Sequence, residues 1–124
     1  MTYLIVFFGA GIGGALRQFI GLAATRELGG GFPFGTLLIN ISGSAVMGLV
    51  VGVFEARNMQ SEALRTFLTT GVLGGYTTFS TFSLDSVTLW ERGQHVASFV
   101  YVSVTLVASF ASVATVMMLA RKWT

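Results

Sequence analysis

The chain contains no cysteine, one proline and one histidine, and only 10% of its 124 residues are charged. The missing cysteine excludes disulfides, thiolate metal sites and cysteine nucleophiles. His95 sits alone in a polar connection, which leaves histidine-based catalysis and histidine metal clusters without material. A soluble domain is about 25% charged, so the scarcity of charge points to a membrane. The charge-free runs decide it: Leu28–Phe54, Thr66–Leu84 and Val96–Ala120 carry none, and Met1–Leu16 carries none before Arg17. A helix needs about 20 mainly apolar residues to cross the hydrocarbon core. No basic stretch precedes the first run, and no soluble sequence follows it, so a cleaved signal is not the reading. The pI near 9.5 would suggest nucleic acid in a soluble protein. Here the basic residues stand at span ends, where lipid head groups are the simpler partner, and no nucleic-acid partner is expected.

The pattern predicts an all-α membrane protein, one domain over residues 1–124, with four spans: roughly 3–25, 36–54, 66–90 and 96–120. The connectors "RELGGGFPFG", "EARNMQSEALR" and "ERGQH" are short and polar or glycine-rich. Trp90 and Trp123 suit the water interfaces. Four spans put Arg57, Arg65, Arg121 and Lys122 on one side and Arg26 and Arg92 on the other, with Arg17 added if it lies near that surface. This bias is weak, and a weak bias permits both orientations.

Gly9, Gly11 and Gly14 match G-x-G-x-x-G, but no strand precedes them and position 34 is Phe34, so a dinucleotide site is rejected. The better reading is close helix packing through Gly9 and Gly13, and through Ser44, Gly48 and Gly52. Arg17 is the one basic residue well inside an apolar span. It either snorkels to head groups or serves as an anion-attracting charge or structural pair. Asn40 needs a partner in hydrocarbon, through an interhelical hydrogen bond or by donating to a passing anion. Ser44 shares its face.

The stretch "GVLGGYTTFSTFS", Gly71–Ser83, is the strongest signal. Gly74-Gly75 followed by Thr77 and Thr78 weakens the helix mid-span. Unwound backbone at membrane depth is tolerated where it is buried in protein or lines a cavity. Phe79 and Phe82 share a face, and their electropositive ring edges can meet a small anion. Ser80 and Thr81 add donors. In the last span Tyr101, Thr105, Ser109 and Ser112 form a stripe of hydroxyls. Either these groups line a polar track, or they bond helices together around an aromatic core.

These residues resemble the Fluc (CrcB-like) family of bacterial fluoride ion channels. The likeness covers essentially the whole chain through "GIGGALRQFIG", "PFGTLLINISGS", "GVLGGYTTFSTFS" and the final hydroxyl stripe. It implies a four-helix subunit, its third helix broken, paired antiparallel with a second copy in dual topology. It implies two fluoride pathways and passive export of fluoride across the bacterial inner membrane. By resemblance, Phe79 and Phe82 line the pathway, Asn40 is the pore amide, and Ser80, Thr81 and Ser109 form the polar track. Tyr101 faces the pore and Arg17 the vestibule. Carbonyls of Gly74 and Thr77 from both subunits hold a central sodium ion. The sequence departs from the family in having Val113 one turn after Ser109, where a threonine is frequent. A small proton-coupled multidrug exporter is the first alternative, but the first span lacks the carboxylate it needs. The second is a non-transporting assembly subunit, which leaves the aromatic and hydroxyl ladders unexplained. No enzyme activity is expected.

Overall fold

The computed structural model describes residues 1–124, and its regular elements are all helices. Helix α1 spans Thr2–Leu28, α2 Phe34–Ala56, α3 Glu62–Thr66, α4 Gly74–Tyr76, α5 Phe79–Glu91 and α6 His95–Trp123. A π-helical segment, Phe67–Leu73, joins α3 to α4. Helices α1, α2 and α6 are long and apolar enough to cross a membrane. Between α2 and α6 the chain is divided into α3, the π segment, α4 and α5, which pack mainly against α1 and α6. The chain is thus a multi-pass membrane protein. Its helices overrun the expected spans by a few residues at each end, as interfacial turns do.

Breaks between helices follow local chemistry. Gly29 ends α1 at φ 85, a value open to glycine, and its N–H reaches the Thr25 carbonyl. Ser61 caps α3 by accepting from the Leu64 N–H at 3.2 Å. Thr78 caps α5 by accepting from the Thr81 N–H at 3.2 Å.

The mid-span break lies two residues beyond the expected glycine pair. Gly74 and Gly75 both remain in α4. Thr77 (φ −79, ψ 158) and Thr78 (φ −150, ψ 115) are the extended residues. Gly75 is needed for space instead: a Cβ there would come within 2.5 Å of the Ala10 carbonyl oxygen on α1. A Cβ at Gly74 meets nothing nearer than the Thr69 oxygen at 3.5 Å.

The other small residues set the remaining contacts. A Cβ on Gly9 would lie 2.8 Å from the Phe67 oxygen, and one on Gly13 would collide with the Val72 oxygen, so α1 lies backbone to backbone along the π segment. Gly48 and Gly52 do the same for α2 against α6, at 2.5 Å from the Val113 oxygen and 2.7 Å from the Met117 oxygen. The core itself is small. Phe82, Leu89 and Tyr101 form its buried cluster, with Phe32 and Leu37 packed against it. Large apolar side chains otherwise face outward, including Phe19, Phe99, Val107 and Phe110. That distribution suits a surface facing lipid or another apolar protein surface.

Candidate functional site

Two cavities meet at the break. Thr78 lines both. The extended backbone at Thr77 and Thr78 cannot make regular helical bonds, so its polar groups need other partners. Asn40 of α2 supplies them. Its Oδ1 accepts from the Thr78 N–H at 2.9 Å, and its Nδ2 donates to the Thr78 carbonyl at 3.0 Å. In a continuous α-helix the Thr78 N–H would pair with the Gly74 carbonyl. Asn40 therefore releases the Gly74 oxygen from that bond. Arg17 of α1 secures the other flank, its Nε donating to the Gly75 carbonyl at 3.2 Å. Arg17 is thus a backbone partner of the broken helix as well as a cavity residue.

The first cavity, about 420 Å³, opens beside the α1–α2 loop. Arg17, Thr81, Asp85 and Arg92 line it, with Thr25, Thr36 and Thr88. The buried Tyr101 hydroxyl donates to Asp85 Oδ2 at 3.0 Å. The Phe32 ring stands edge-on to Tyr101 at 5.6 Å, and Phe82 packs tilted against it at 5.4 Å. Tyr101, expected at the pore, is instead fully buried between Phe32 of the loop and Phe82 and lines neither cavity.

The second cavity, about 370 Å³, brings together Asn40, Ser44, Phe79, Phe82, Thr105 and Ser109. Phe79 and Phe82 lie 5.6 Å apart in an edge-type arrangement. Phe82 is buried at 7% exposure, whereas Phe79 is 74% exposed at the open side. Thr105 Oγ1 and Ser109 Oγ are both shut away from water, and neither has a hydrogen-bond partner. Most buried hydroxyls are satisfied, so two orphans one turn apart on a cavity wall are donors without an acceptor. A bare apolar environment for such a group costs about 1–3 kcal/mol.

The structure places the remaining expected residues as follows. Thr81 lies in the first cavity, not the second. Ser80 is exposed and lines neither; its nearest polar partner is the Thr78 hydroxyl at 3.4 Å. Thr77 lines the second cavity, and its hydroxyl donates back to the Leu73 carbonyl at 2.9 Å. Gly74 is exposed on α4. Val113 lines the second cavity and Ser112 does not, so the hydroxyl stripe reaches this cavity only as far as Ser109. The importance of Thr105 and Asp85 is clear only in the fold. Thr105 was visible in the hydroxyl stripe, but its lack of a partner was not.

The chain matches the family described as "CrcB-like protein, Camphor Resistance (CrcB)" over residues 4–117. It is 54% identical over 113 residues to a protein of Methylobacterium nodulans named fluoride-specific ion channel FluC, covering 91% of this chain and 90% of that one. It is 55% identical over 93 residues to a protein of the same name from Rhodopseudomonas palustris strain BisB5, covering 75% of each. A third of that name, from Methylobacterium sp. strain 4-46, is 50% identical over 114 residues, 92% of this chain and 91% of the relative. With nearly the whole chain matched, and its break, aromatic pair and hydroxyl stripe all inside the match, this protein belongs to the CrcB-like family.

Proposed function

We propose that this protein is a fluoride-selective channel that lets fluoride leave the cytoplasm passively across the bacterial inner membrane. The observation that carries this reading is the pair of buried, unpartnered hydroxyls, Thr105 and Ser109, on a cavity shared with the Phe79 and Phe82 rings. The names of the relatives agree with it.

Fluoride is small and strongly hydrated, so a pathway must replace its water with donors. Hydroxyls donate one hydrogen each and hold no charge. Ring edges carry partial positive charge. Such sites are individually weak, which lets an ion enter and leave again. The anion would enter by the cavity of Arg17 and Thr81 and pass Thr78 and Phe82. It would then meet Thr105 and Ser109. Asn40 holds the backbone at the passage while its amide borders it. Ser80 would join the track only through movement or a second subunit, since it lies outside both cavities.

The second cavity is open where Phe79 and Phe110 are exposed. A second copy, antiparallel to the first, would close it and give two pathways per dimer. The weak charge bias suits insertion in both orientations. A sodium ion at the dimer centre fits the break. The Gly74 carbonyl lacks its α-helical N–H partner and Thr77 is extended, so both oxygens are available to a cation. Bound there, the ion would supply positive charge that neutralises the converging carbonyl dipoles.

The test is efflux from proteoliposomes loaded with fluoride or chloride. Fast fluoride efflux without chloride efflux, lost in Phe82→Ile, is expected. A well-folded protein that releases no fluoride would end this reading.

A further inference from the structure

We propose that Arg92, at the α5–α6 turn, is a second anion-collecting residue of the Arg17 cavity and raises the local concentration of fluoride at its mouth. The inference rests on the channel reading above. Three charged residues line this cavity: Arg17, Asp85 and Arg92. Asp85 faces an O–H donor, because the Tyr101 hydroxyl is bonded to its Oδ2. Arg17 has its Nε committed to the Gly75 carbonyl at the inner end. Arg92 sits at the outer end, directly after α5, and is exposed. The one ion pair in the chain joins Arg121 to Glu55 at the opposite end of the helices, so Arg92 makes no direct ion pair with a carboxylate. Arg26, Glu27 and Glu91 lie at the same end but do not line the cavity.

The lining charge is therefore positive at both ends of the cavity, with the single carboxylate held between. A concave site whose lining carries a net positive charge, as two arginines against one carboxylate do here, concentrates anions and speeds their arrival. One arginine is too far from the aromatic pair to select between anions, since Phe79 and Phe82 belong to the other cavity. Arg92 should thus change how fast fluoride arrives at low concentration and leave selectivity untouched. Its effect must also fall as salt is added, because the screening length shrinks from about 30 Å at 0.01 M to about 10 Å at 0.1 M.

The experiment measures the initial rate of fluoride efflux with a fluoride electrode, using proteoliposomes in which fluoride is well below saturation. Ionic strength is set to about 0.01 M or about 0.3 M with potassium isethionate. At low ionic strength Arg92→Gln should slow efflux about two- to threefold and Arg92→Glu about five- to tenfold. Arg92→Lys should stay near wild type. At high ionic strength the four proteins should converge, with chloride excluded in all. Arg92→Glu equal to wild type at low ionic strength would overturn the proposal. So would a loss that is the same at both ionic strengths, which marks a structural defect. If Arg92→Glu does not fold, the Gln and Lys pair still decides it. Wild-type protein without fluoride efflux would defeat the channel reading itself; a conducting wild type with an indifferent Arg92 defeats only this inference.

Discussion

Asn40 and Ser109 are both polar residues on the same cavity, yet they hold opposite positions in the energetics. Asn40 has two backbone hydrogen bonds to Thr78, so its removal leaves an N–H and a carbonyl unpaired at the break. Asn40→Ala should cost about 2–4 kcal/mol of stability and abolish transport, read as a fall in thermal midpoint of the detergent-solubilised protein alongside efflux. Ser109 Oγ has no partner to lose. Ser109→Ala should leave stability unchanged or raise it by about 1 kcal/mol, while slowing fluoride efflux about tenfold or more by removing a donor worth about 1.5–3 kcal/mol to a charged acceptor. A drop in midpoint without a change in efflux would assign the Ser109 hydroxyl to the fold and not to the ion. Thr105→Val offers the same contrast one turn away, and its shape-conserving methyl keeps the cavity wall filled.

At the scale of elements, the glycines separate two roles that the sequence merges. Gly74-Gly75 reads as a helix-breaking pair, but the extended residues are Thr77 and Thr78. Gly75→Ala would force its new methyl into the Ala10 backbone at 2.5–3.0 Å, where no flexible side chain can yield. A loss of about 1–3 kcal/mol is expected from such overpacking. Gly74→Ala has ordinary contact distance and should be tolerated in stability, or gain slightly from alanine's helix propensity of about 1 kcal/mol. Comparing the two midpoints checks whether space or backbone freedom explains the pair. The three long apolar helices were legible in the sequence because charge-free runs of about 20 residues have few other uses. The π segment Phe67–Leu73 was not. Within a span flanked by apolar neighbours or lipid, hydrophobic periodicity carries little information about which face packs. Hydroxyl and glycine spacing carried it instead, which is why Gly9, Gly13, Gly48 and Gly52 were readable as packing sites. Thr105 and Ser109 were readable as a stripe, but whether each hydroxyl had a partner depended on α2 and α5, and spacing along one helix cannot report that. Ser80 shows the same gap from the other side: it is a neighbour of Thr81 in sequence, yet about 100° away on the helix, and faces out of both cavities.

For the whole molecule, the charges at its two ends bear on how it assembles. Arg57, Arg65, Arg121 and Lys122 mark one end, and Arg26 and Arg92 the other. One of the four, Arg121, is paired with Glu55 at 2.6 Å, though both side chains are nearly half exposed and such a pair adds only about 0.2–1 kcal/mol. Orientation follows lysines and arginines near span ends rather than net charge, so two added or removed cations should be enough to commit every copy to one direction. For the proposed antiparallel dimer this is consequential. A variant with two extra lysines in the Asn58–Ser61 connector should insert one way only and form no working channel. A second variant, with Arg57 and Arg65 replaced by glutamine and lysines added in the Gly29–Gly31 loop, should insert the other way and fail alone. Expressed together, the two should restore fluoride efflux from cells, because each supplies the orientation that the other lacks. Full activity from either variant alone, with its single orientation confirmed by reporter fusions at the C-terminus, would rule out the antiparallel assembly. The cavity bordered by Phe79 and Phe110 would then need to be closed by a parallel copy or by lipid.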